Sequence, residues 1–191
     1  MKEIILASAS PRRKELLSEL IGNFRIQPSF LEEKTDENRT PAETVCALAE
    51  QKAKDVFSRN CDAVVLGADT VVSLGKEILG KPKDEADAVR MLRSLSGKTH
   101  QVITGVCIAW EGSVLTDYCV TDVSFRTLTD EAIADYVKSG VPMDKAGAYA
   151  IQDNPDMIAG FNGSYTNVVG LPMELLQTML QKCGVIGCLE N

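Results

Sequence analysis

Short apolar runs of strand length alternate with amphipathic helical segments along this chain, and that alternation constrains the fold more than any other feature. Glu3 to Ala7 and Ala63 to Leu66 have the length and composition of buried strands. Pro11 to Ile21 carries apolar residues at helical spacing, and Thr40 with Glu43 forms a capping box that starts a second helix. Interleaved strands and helices predict an α/β fold.

The second half of the chain continues this pattern but brings several predicted strands together. Residues 102 to 108 alternate in the manner of a strand, and further strands are predicted at Val114–Cys119 and Val120–Phe125. Further helices are predicted at Asp84–Leu95, Thr129–Ser139 and Pro172–Lys182. Because adjacent strands without an intervening helix pair antiparallel, we expect a mixed twisted sheet flanked by helices. No repeat or linker interrupts the chain, which predicts a single domain over residues 1–191.

The charge balance and the lack of long apolar runs limit the classes of partner. The chain has 20 Lys and Arg against 27 Asp and Glu, a formal net charge of −7. Non-specific nucleic-acid binding depends on cations that neutralise phosphates, so we expect no nucleic-acid partner. No apolar run is long enough to span a bilayer, so we expect no membrane partner and a cytoplasmic location. The six cysteines include no Cys-x-x-Cys pair, and most are predicted to be reduced core residues.

The segment from Ser8 to Arg13 combines the features of a phosphate site. Ser10 is placed to cap a helix that begins at Pro11, and the first amide groups of a helix have no partner within it. Those amides, the serine hydroxyls and the guanidinium groups of Arg12 and Arg13 favour a multiply charged anion. A capped surface helix with two solvated arginines fits the same residues, and both interpretations stay open.

Lys52 and Asp69 are the next candidates. Lys52 lies on the apolar stripe of the Thr40 helix, so its ammonium group either reaches the edge of the core or enters a cleft that contains anions. Asp69 follows the apolar strand at Ala63 to Leu66, and ligands of open α/β sheets gather beyond strand ends. Asp69 is therefore a candidate base or metal ligand. The alternative is an aspartate that caps a turn after Gly67.

Two further segments offer charged groups without a strong pattern. Lys81 and Lys83 lie beside a glycine and a proline that restrict the backbone, and they are either catalytic or solvated. The acidic segment from Glu32 to Glu37 offers carboxylates that suit Mg²⁺ held against phosphate. A solvated loop is the alternative for this segment.

Two familiar signatures do not apply to this chain. Gly97-Lys98-Thr99 looks like the end of a P-loop, but Leu92 stands where the first glycine of that motif belongs. His100 is the only histidine, which excludes a multi-histidine zinc site and disfavours a Ser-His-Asp triad. We expect His100 to be structural.

Taken in order, the segments resemble the Maf family of nucleotide pyrophosphatases, whose fold is related to that of the inosine triphosphatases. The resemblance covers nearly the whole chain and rests on the motifs LASASPRRKELL, GADTVV, GKP, MLRSLSGKTHQVITGV, DKAGAYAIQ and GSYTNVVGLP. It implies two lobes around a cleft, and a homodimer.

The resemblance also implies an activity and a set of site residues. The activity is hydrolysis of a nucleoside triphosphate between the α and β phosphates, with a divalent metal, Mg²⁺ or Mn²⁺. Arg12, Thr70 and Gln152 match the branch that acts on dTTP and UTP, whereas the branch acting on 7-methyl-GTP typically has tryptophan at the first position. The residue that matches Asp69 is the proposed proton acceptor. The other positions implied to line the cleft are Ser8, Arg13, Glu32, Lys52 and Lys81.

Charge considerations suggest a role for each cationic residue. Arg12, Arg13 and the amides of the first helical turn would hold the phosphates. Lys52 and Lys81 would neutralise the charge that develops on the phosphate oxygens during attack by water.

The remaining positions would bind the metal, activate the water and recognise the nucleobase. Glu32 and Asp69 would anchor the metal, and Asp69 would also orient or deprotonate the water. Gln152 would read the pyrimidine edge, with Thr70 shaping the pocket. The alternative function is a nucleotide-binding regulator of septum formation without significant turnover. Such a protein needs the cationic side chains but no general base.

Overall fold

The computed structural model describes residues 2–32, 36 and 38–186 of the chain. The strands within this part are β1 (Ile4–Leu6), β2 (Arg25–Ile26), β3 (Val64–Leu74), β4 (Glu77–Leu79), β5 (Thr99–Trp110), β6 (Ser113–Phe125) and β7 (Ile158–Asn162). The α-helices are α1 (Pro11–Leu20), α2 (Pro41–Phe57), α3 (Glu85–Leu95), α4 (Asp130–Lys138), α5 (Tyr165–Val169) and α6 (Met173–Lys182). No helix within the described ranges is both long enough and apolar enough to cross a bilayer.

The strands form one mixed sheet in the order β2-β1-β3-β5-β6-β7, with β4 paired to β3 outside this path. β1 is parallel to both β2 and β3, while β4 is antiparallel to β3 and β7 is antiparallel to β6. The predicted α/β class with a mixed sheet and flanking helices is therefore confirmed.

β5 and β6 are joined by a two-residue turn. Glu111 and Gly112 both have positive φ, 47° and 76°, as a tight hairpin turn with the twist of the strands requires. The prediction of two separate strands at Val114–Cys119 and Val120–Phe125 is wrong, because β6 is one strand. Its sequence contains no glycine or proline that would end it.

The chain divides into two compact units. The first unit comprises the described residues within Met1–Asp69, Thr104–Cys119 and Gly170–Asn191. Its core contains mainly small apolar residues in or directly beside β1, α2, β3 and β5, namely Ile5, Ala7, Ala49, Ala53, Val56, Ala63, Val65, Cys107 and Ala109. The small side chains allow α2 to lie close to the sheet.

The second unit comprises Thr70–Ile103 and Val120–Val169. Its core brings α3 and α4 together with parts of β3 to β6, and its largest buried members include Leu79, Leu92, Leu95, Phe125, Ile133 and Tyr149. The single domain over residues 1–191 stays a prediction.

Short elements and cysteine burial differ from the sequence-based expectations. β2, β4 and β7 are two to five residues long and were not predicted, since periodicity cannot be seen over so few positions. The five described cysteines are free, but only Cys107 is buried and Cys61 is exposed. The prediction that most cysteines lie in the core is therefore wrong for the described ones. Cys188 lies outside the described residues.

Candidate active site

Asp69 lies inside β3, five residues before its end, and not beyond the strand as predicted. The last three residues of the strand pair with β4, with Val72 opposite Leu79 and Leu74 opposite Glu77. Asp69 is buried, with 9% of its surface exposed. A carboxylate at such a position needs a polar partner.

Lys52 of α2 is that partner. Its ammonium nitrogen donates to Oδ1 of Asp69 across 2.6 Å, and the exposed fractions of the two side chains are only 18% and 12%. The contact shows that the Lys52 side chain extends from its helix to a carboxylate of the neighbouring strand. It also orients the Asp69 carboxylate.

Two glycines allow α2 to lie close enough to the sheet for this contact. A Cβ atom at Gly67 of β3 would lie 2.2 Å from the Ala49 carbonyl oxygen and 2.9 Å from the Ala53 amide nitrogen. A Cβ atom at Gly105 of β5 would lie 2.6 Å from the Val45 carbonyl. Gly67 is therefore a close-approach residue, and the predicted alternative of a turn after Gly67 is wrong.

Ser8 and Arg13 form a second polar cluster where β1 passes into α1. Ser10 caps α1 and its hydroxyl accepts from the Arg13 amide, as predicted. The Arg13 guanidinium donates from Nε to the Gly170 carbonyl at 2.8 Å and from Nη1 to the Ser8 hydroxyl at 3.3 Å. The Ser8 hydroxyl also accepts from the Ser10 amide at 3.2 Å. Arg13 is thus held in a defined orientation.

The strand register relates the chain positions of the two clusters. Leu6 of β1 lies opposite Leu66 of β3 in a parallel pair, and the Ala7 amide donates to the Leu66 carbonyl. Ser8 follows this pair by two residues and Asp69 by three. Both residues therefore lie on the C-terminal side of the paired segment, Ser8 beyond the end of β1 and Asp69 within β3.

Arg12 and Glu32 lie in the same unit as these clusters. The Arg12 side chain is half-buried and makes no hydrogen bond or ion pair with any residue that the structure describes. Glu32 is exposed, and its backbone carbonyl accepts from the Gln51 side chain at 2.8 Å, next to Lys52 in sequence. The predicted acidic segment continues into Glu33, Lys34, Thr35 and Glu37, which lie outside the described residues.

Thr70, Lys81 and Gln152 belong to the second unit. Thr70 follows Asp69 directly in β3 and is half-buried, while Lys81 is exposed just after β4. The Gly80 carbonyl accepts from the Gly147 amide at 3.0 Å, which ties the Lys81 loop to the DKAGAYAIQ segment.

Gln152 lies in a groove of about 440 Å³ that is otherwise mostly apolar. The turn that carries it is anchored by Lys145, whose side chain is 8% exposed and donates to the Asp144 carboxylate at 2.7 Å. The Asp153 carboxylate lies 3.5 Å from the same ammonium group. Sequence reasoning missed the anchoring role of Lys145, although the residue lies within a quoted motif.

His100 is structural, as expected. It is 2% exposed and its Nε2 shares a 2.7 Å hydrogen bond with the Tyr149 hydroxyl. Phe125 and Tyr149 make edge contacts with the imidazole ring. Burial lowers the pKa of His100 from 6.5 to about 4, so the ring is neutral at pH 7.

Comparison with known proteins assigns the family. The chain matches the family of Maf-like proteins over residues 3–183. It belongs to the Maf family. Two similar proteins are the dTTP/UTP pyrophosphatases of Thermococcus gammatolerans and Bacillus pumilus. The first is 49% identical over 174 residues, 91% of this chain and 92% of that protein. The second is 47% identical over 186 residues, 97% of this chain and 98% of that protein.

A solved structure shows the wider fold of this Maf protein. The HAM1 protein from Coxiella burnetii superposes with a TM-score of 0.53 at 17% sequence identity, covering 95% of this chain and 100% of that chain. The match supports a shared fold for the two chains.

Two carboxylates of the first unit, Asp69 and Glu32, are the candidates for holding a metal. No group of three or more His, Cys, Asp or Glu side chains is arranged to hold a metal within the described part. Mg²⁺ usually takes one or two carboxylates together with water and substrate phosphates. Asp69 and Glu32 belong to the same unit, and the Glu32 backbone is joined to Gln51, the residue before Lys52, so the number and type of carboxylates fit the group.

Proposed function

We propose that this Maf protein hydrolyses dTTP and UTP between the α and β phosphates, and that it removes such nucleotides, or modified forms of them, from the pool. The contact between Lys52 and Asp69, in the unit that also contains Ser8 and Arg13, is the observation that supports this most strongly. It gives an oriented carboxylate paired with a cation, in the same unit as the Ser8 hydroxyl and the Arg13 guanidinium. The relatives named dTTP/UTP pyrophosphatase support the substrate class.

The phosphates bind to the first turn of α1 in this proposal. The helix N-terminus and the guanidinium groups of Arg12 and Arg13 provide donors and positive charge for the oxygens. Ser8 and the Gly170 carbonyl hold Arg13 in place before substrate arrives. Little binding energy is then lost in ordering that side chain.

The chemical step is attack of water on the α phosphorus. The bond from the water oxygen to that phosphorus forms, and the bond from the phosphorus to the oxygen bridging the α and β phosphates breaks. Pyrophosphate leaves with the electron pair. Asp69 accepts the proton of the water, and Lys52 and Lys81 neutralise charge on the phosphate oxygens.

A divalent cation, Mg²⁺ or Mn²⁺, would be held by Asp69 and Glu32. When bound, it supplies positive charge that reduces repulsion between these carboxylates and the phosphates. The protein has a formal net charge of −7, so local positive charge matters for an anionic substrate.

The base is recognised by residues of the second unit. The Gln152 amide both donates and accepts hydrogen bonds, which suits the edge of uracil or thymine. Thr70, the other residue of this unit assigned to the base, would shape the pocket that receives it.

A pyrophosphate-release screen over ordinary and modified nucleoside triphosphates, with and without Mg²⁺, tests the proposal. We expect release from dTTP and UTP to exceed release from purine nucleotides. Tight binding of dTTP without pyrophosphate release would contradict the proposed hydrolytic activity and would support the alternative of a nucleotide-binding regulator. The homodimer and the absence of nucleic-acid and membrane partners stay predictions.

A further inference from the structure

Two exposed aromatic rings lie together at the end of β7. Phe161 of β7 and Tyr165 of α5 have ring centroids 5.9 Å apart with their planes inclined at 50°. Their exposed fractions are 46% and 43%, in a chain of which only 5% is aromatic. We call this pair the aromatic wall. Large exposed rings in contact with each other offer a surface to a flat apolar ligand.

The aromatic wall lines the same groove as Gln152. The remaining lining comes from Ile151, Pro155, Ile158, Ala159 and Gly160. The volume of about 440 Å³ falls within the usual range for small-molecule sites. An amide on an apolar background beside two aromatic rings suits a heteroaromatic ring, because the ring faces can stack while the amide pairs with the ring edge.

The backbone that carries both rings is held by a buried hydrogen-bond network. The Asn167 side chain is fully buried and its amide nitrogen donates to the Val102 carbonyl and the Thr121 hydroxyl, both at 2.9 Å. The Thr121 hydroxyl donates to the Ser164 carbonyl and accepts from the Ser164 amide, both at 3.1 Å. This network clamps the turn between Phe161 and Tyr165.

The same turn leaves no room for a side chain at Gly163. Its φ is +131°, and a Cβ atom there would lie 2.8 Å from the Thr121 hydroxyl oxygen. The turn is thus closely packed on Thr121. The rings therefore start from a preorganised backbone, which reduces the entropy lost when a ligand binds.

We propose that Phe161 and Tyr165 stack against the pyrimidine ring of the nucleotide while Gln152 reads its edge. The inference rests on the proposed function and adds binding residues for the base. It predicts that affinity depends on the aromatic faces and not only on hydrophobic area.

Leucine variants test the aromatic wall. Phe161→Leu and Tyr165→Leu remove the aromatic face but keep much of the apolar bulk. We expect each to raise KM for dTTP by about tenfold, within the range that loss of a stacked base produces, with little change in kcat. Phe161→Tyr keeps the face and should retain the wild-type KM. Tyr118→Leu is the matched control, because Tyr118 is 47% exposed and does not line this groove.

A competitor without a base separates stacking from general damage. Inorganic tripolyphosphate carries the charges but no ring, so its inhibition constant should be the same in wild type and in the leucine variants. An unchanged KM for dTTP, or equal weakening of dTTP and tripolyphosphate, would overturn the proposal. Gel filtration adds a further outcome, since a dimer that becomes a monomer in the leucine variants would assign the groove to a second copy of the chain.

A failure of the proposed enzymatic function can be distinguished from a failure of the stacking proposal. In the first case, the wild-type protein would release no pyrophosphate from any nucleotide. Equilibrium dialysis of dTTP would then still test the aromatic wall, which predicts about tenfold weaker binding to Phe161→Leu than to wild type. Equal binding to both proteins would reject it.

Discussion

The ammonium nitrogen of Lys52 lies 2.6 Å from Oδ1 of Asp69, and both side chains are largely buried. One residue comes from α2 and the other from β3, so the contact depends on how closely the helix approaches the strand. A buried charge that loses its partner is costly, which makes the pair sensitive to change on either side.

Replacement of Asp69 by asparagine should remove the base without removing the side chain. We expect Asp69→Asn to lower kcat for dTTP by about 10²- to 10⁴-fold, the usual contribution of a general base, while nucleotide binding stays largely intact. Steady-state pyrophosphate release and equilibrium binding measure the two effects. Asp62→Asn changes an exposed carboxylate just before β3 and should behave as wild type. Normal turnover in Asp69→Asn would remove Asp69 from the mechanism.

The close approach of α2 to Gly67 should make the protein sensitive to a side chain at this position. A methyl group there would overlap the Ala49 carbonyl, so Gly67→Ala should push α2 away from β3 and destabilise the protein by about 1–3 kcal/mol. The shift would also displace Lys52 and lower kcat. Urea unfolding followed by circular dichroism measures the free energy of unfolding.

Gly22→Ala is the matched control for Gly67→Ala. A Cβ atom at Gly22 would meet nothing within 4 Å, so its substitution should change stability by less than about 0.5 kcal/mol. Equal stability of the two variants would show that the helix adjusts to a methyl group at Gly67 without cost.

Local sequence signals predicted much of the fold and part of the candidate site. The caps at Ser10 and Thr40 were predicted, because capping depends on residues within one turn of a helix. Helical spacing also predicted that Lys52 extends from an apolar face. These features are settled by neighbours in the sequence.

Long-range contacts could not be predicted in the same way. The apolar run at Val64 does not show that β3 continues to Leu74, since that depends on pairing with β4. Gly67 is also compatible with a turn in the sequence. Only the packing of α2 shows that a residue without a side chain is needed there. The groove with Phe161 depends on a strand too short to show a period.

Removal of divalent cations should abolish activity. Without a cation, the Asp69 and Glu32 carboxylates would repel the triphosphate. We expect hydrolysis of dTTP to stop after treatment with a chelator and to recover when Mg²⁺ or Mn²⁺ is added in excess. Hydrolysis that continues undiminished in the chelator would contradict the role assigned to the metal.

The buried imidazole of His100 should make stability depend on pH. Its pKa is about 4 in the folded protein against 6.5 for an unperturbed histidine, so the unfolded chain binds a proton first as the pH falls. The stability that the neutral ring contributes is complete above pH 6.5 and is lost progressively toward pH 4. The difference in pKa corresponds to at most about 3 kcal/mol.

A variant without an ionisable side chain at position 100 isolates the contribution of His100 to the pH dependence of stability. His100 is the only histidine, so His100→Gln removes all histidine titration from the chain. Urea unfolding at pH 7 and pH 4.5 should show a smaller loss of stability in the variant than in wild type. The same loss in both proteins would show that His100 does not contribute to acid destabilisation.

The orientation of Arg13 should matter more than its charge. Its guanidinium group donates from Nε to the Gly170 carbonyl and from Nη1 to the Ser8 hydroxyl, and the single nitrogen of a lysine cannot reproduce this fork. Loss of one hydrogen bond that involves a charged group corresponds to about 1.5–3 kcal/mol, so Arg13→Lys should lower kcat/KM for dTTP by about 10- to 100-fold. Arg25→Lys, in an exposed ion pair with Glu3, is the matched control and should keep wild-type kcat/KM. If Arg13→Lys also kept wild-type kcat/KM, positive charge alone would suffice at this position and the fork to Ser8 and Gly170 would have no part in substrate binding.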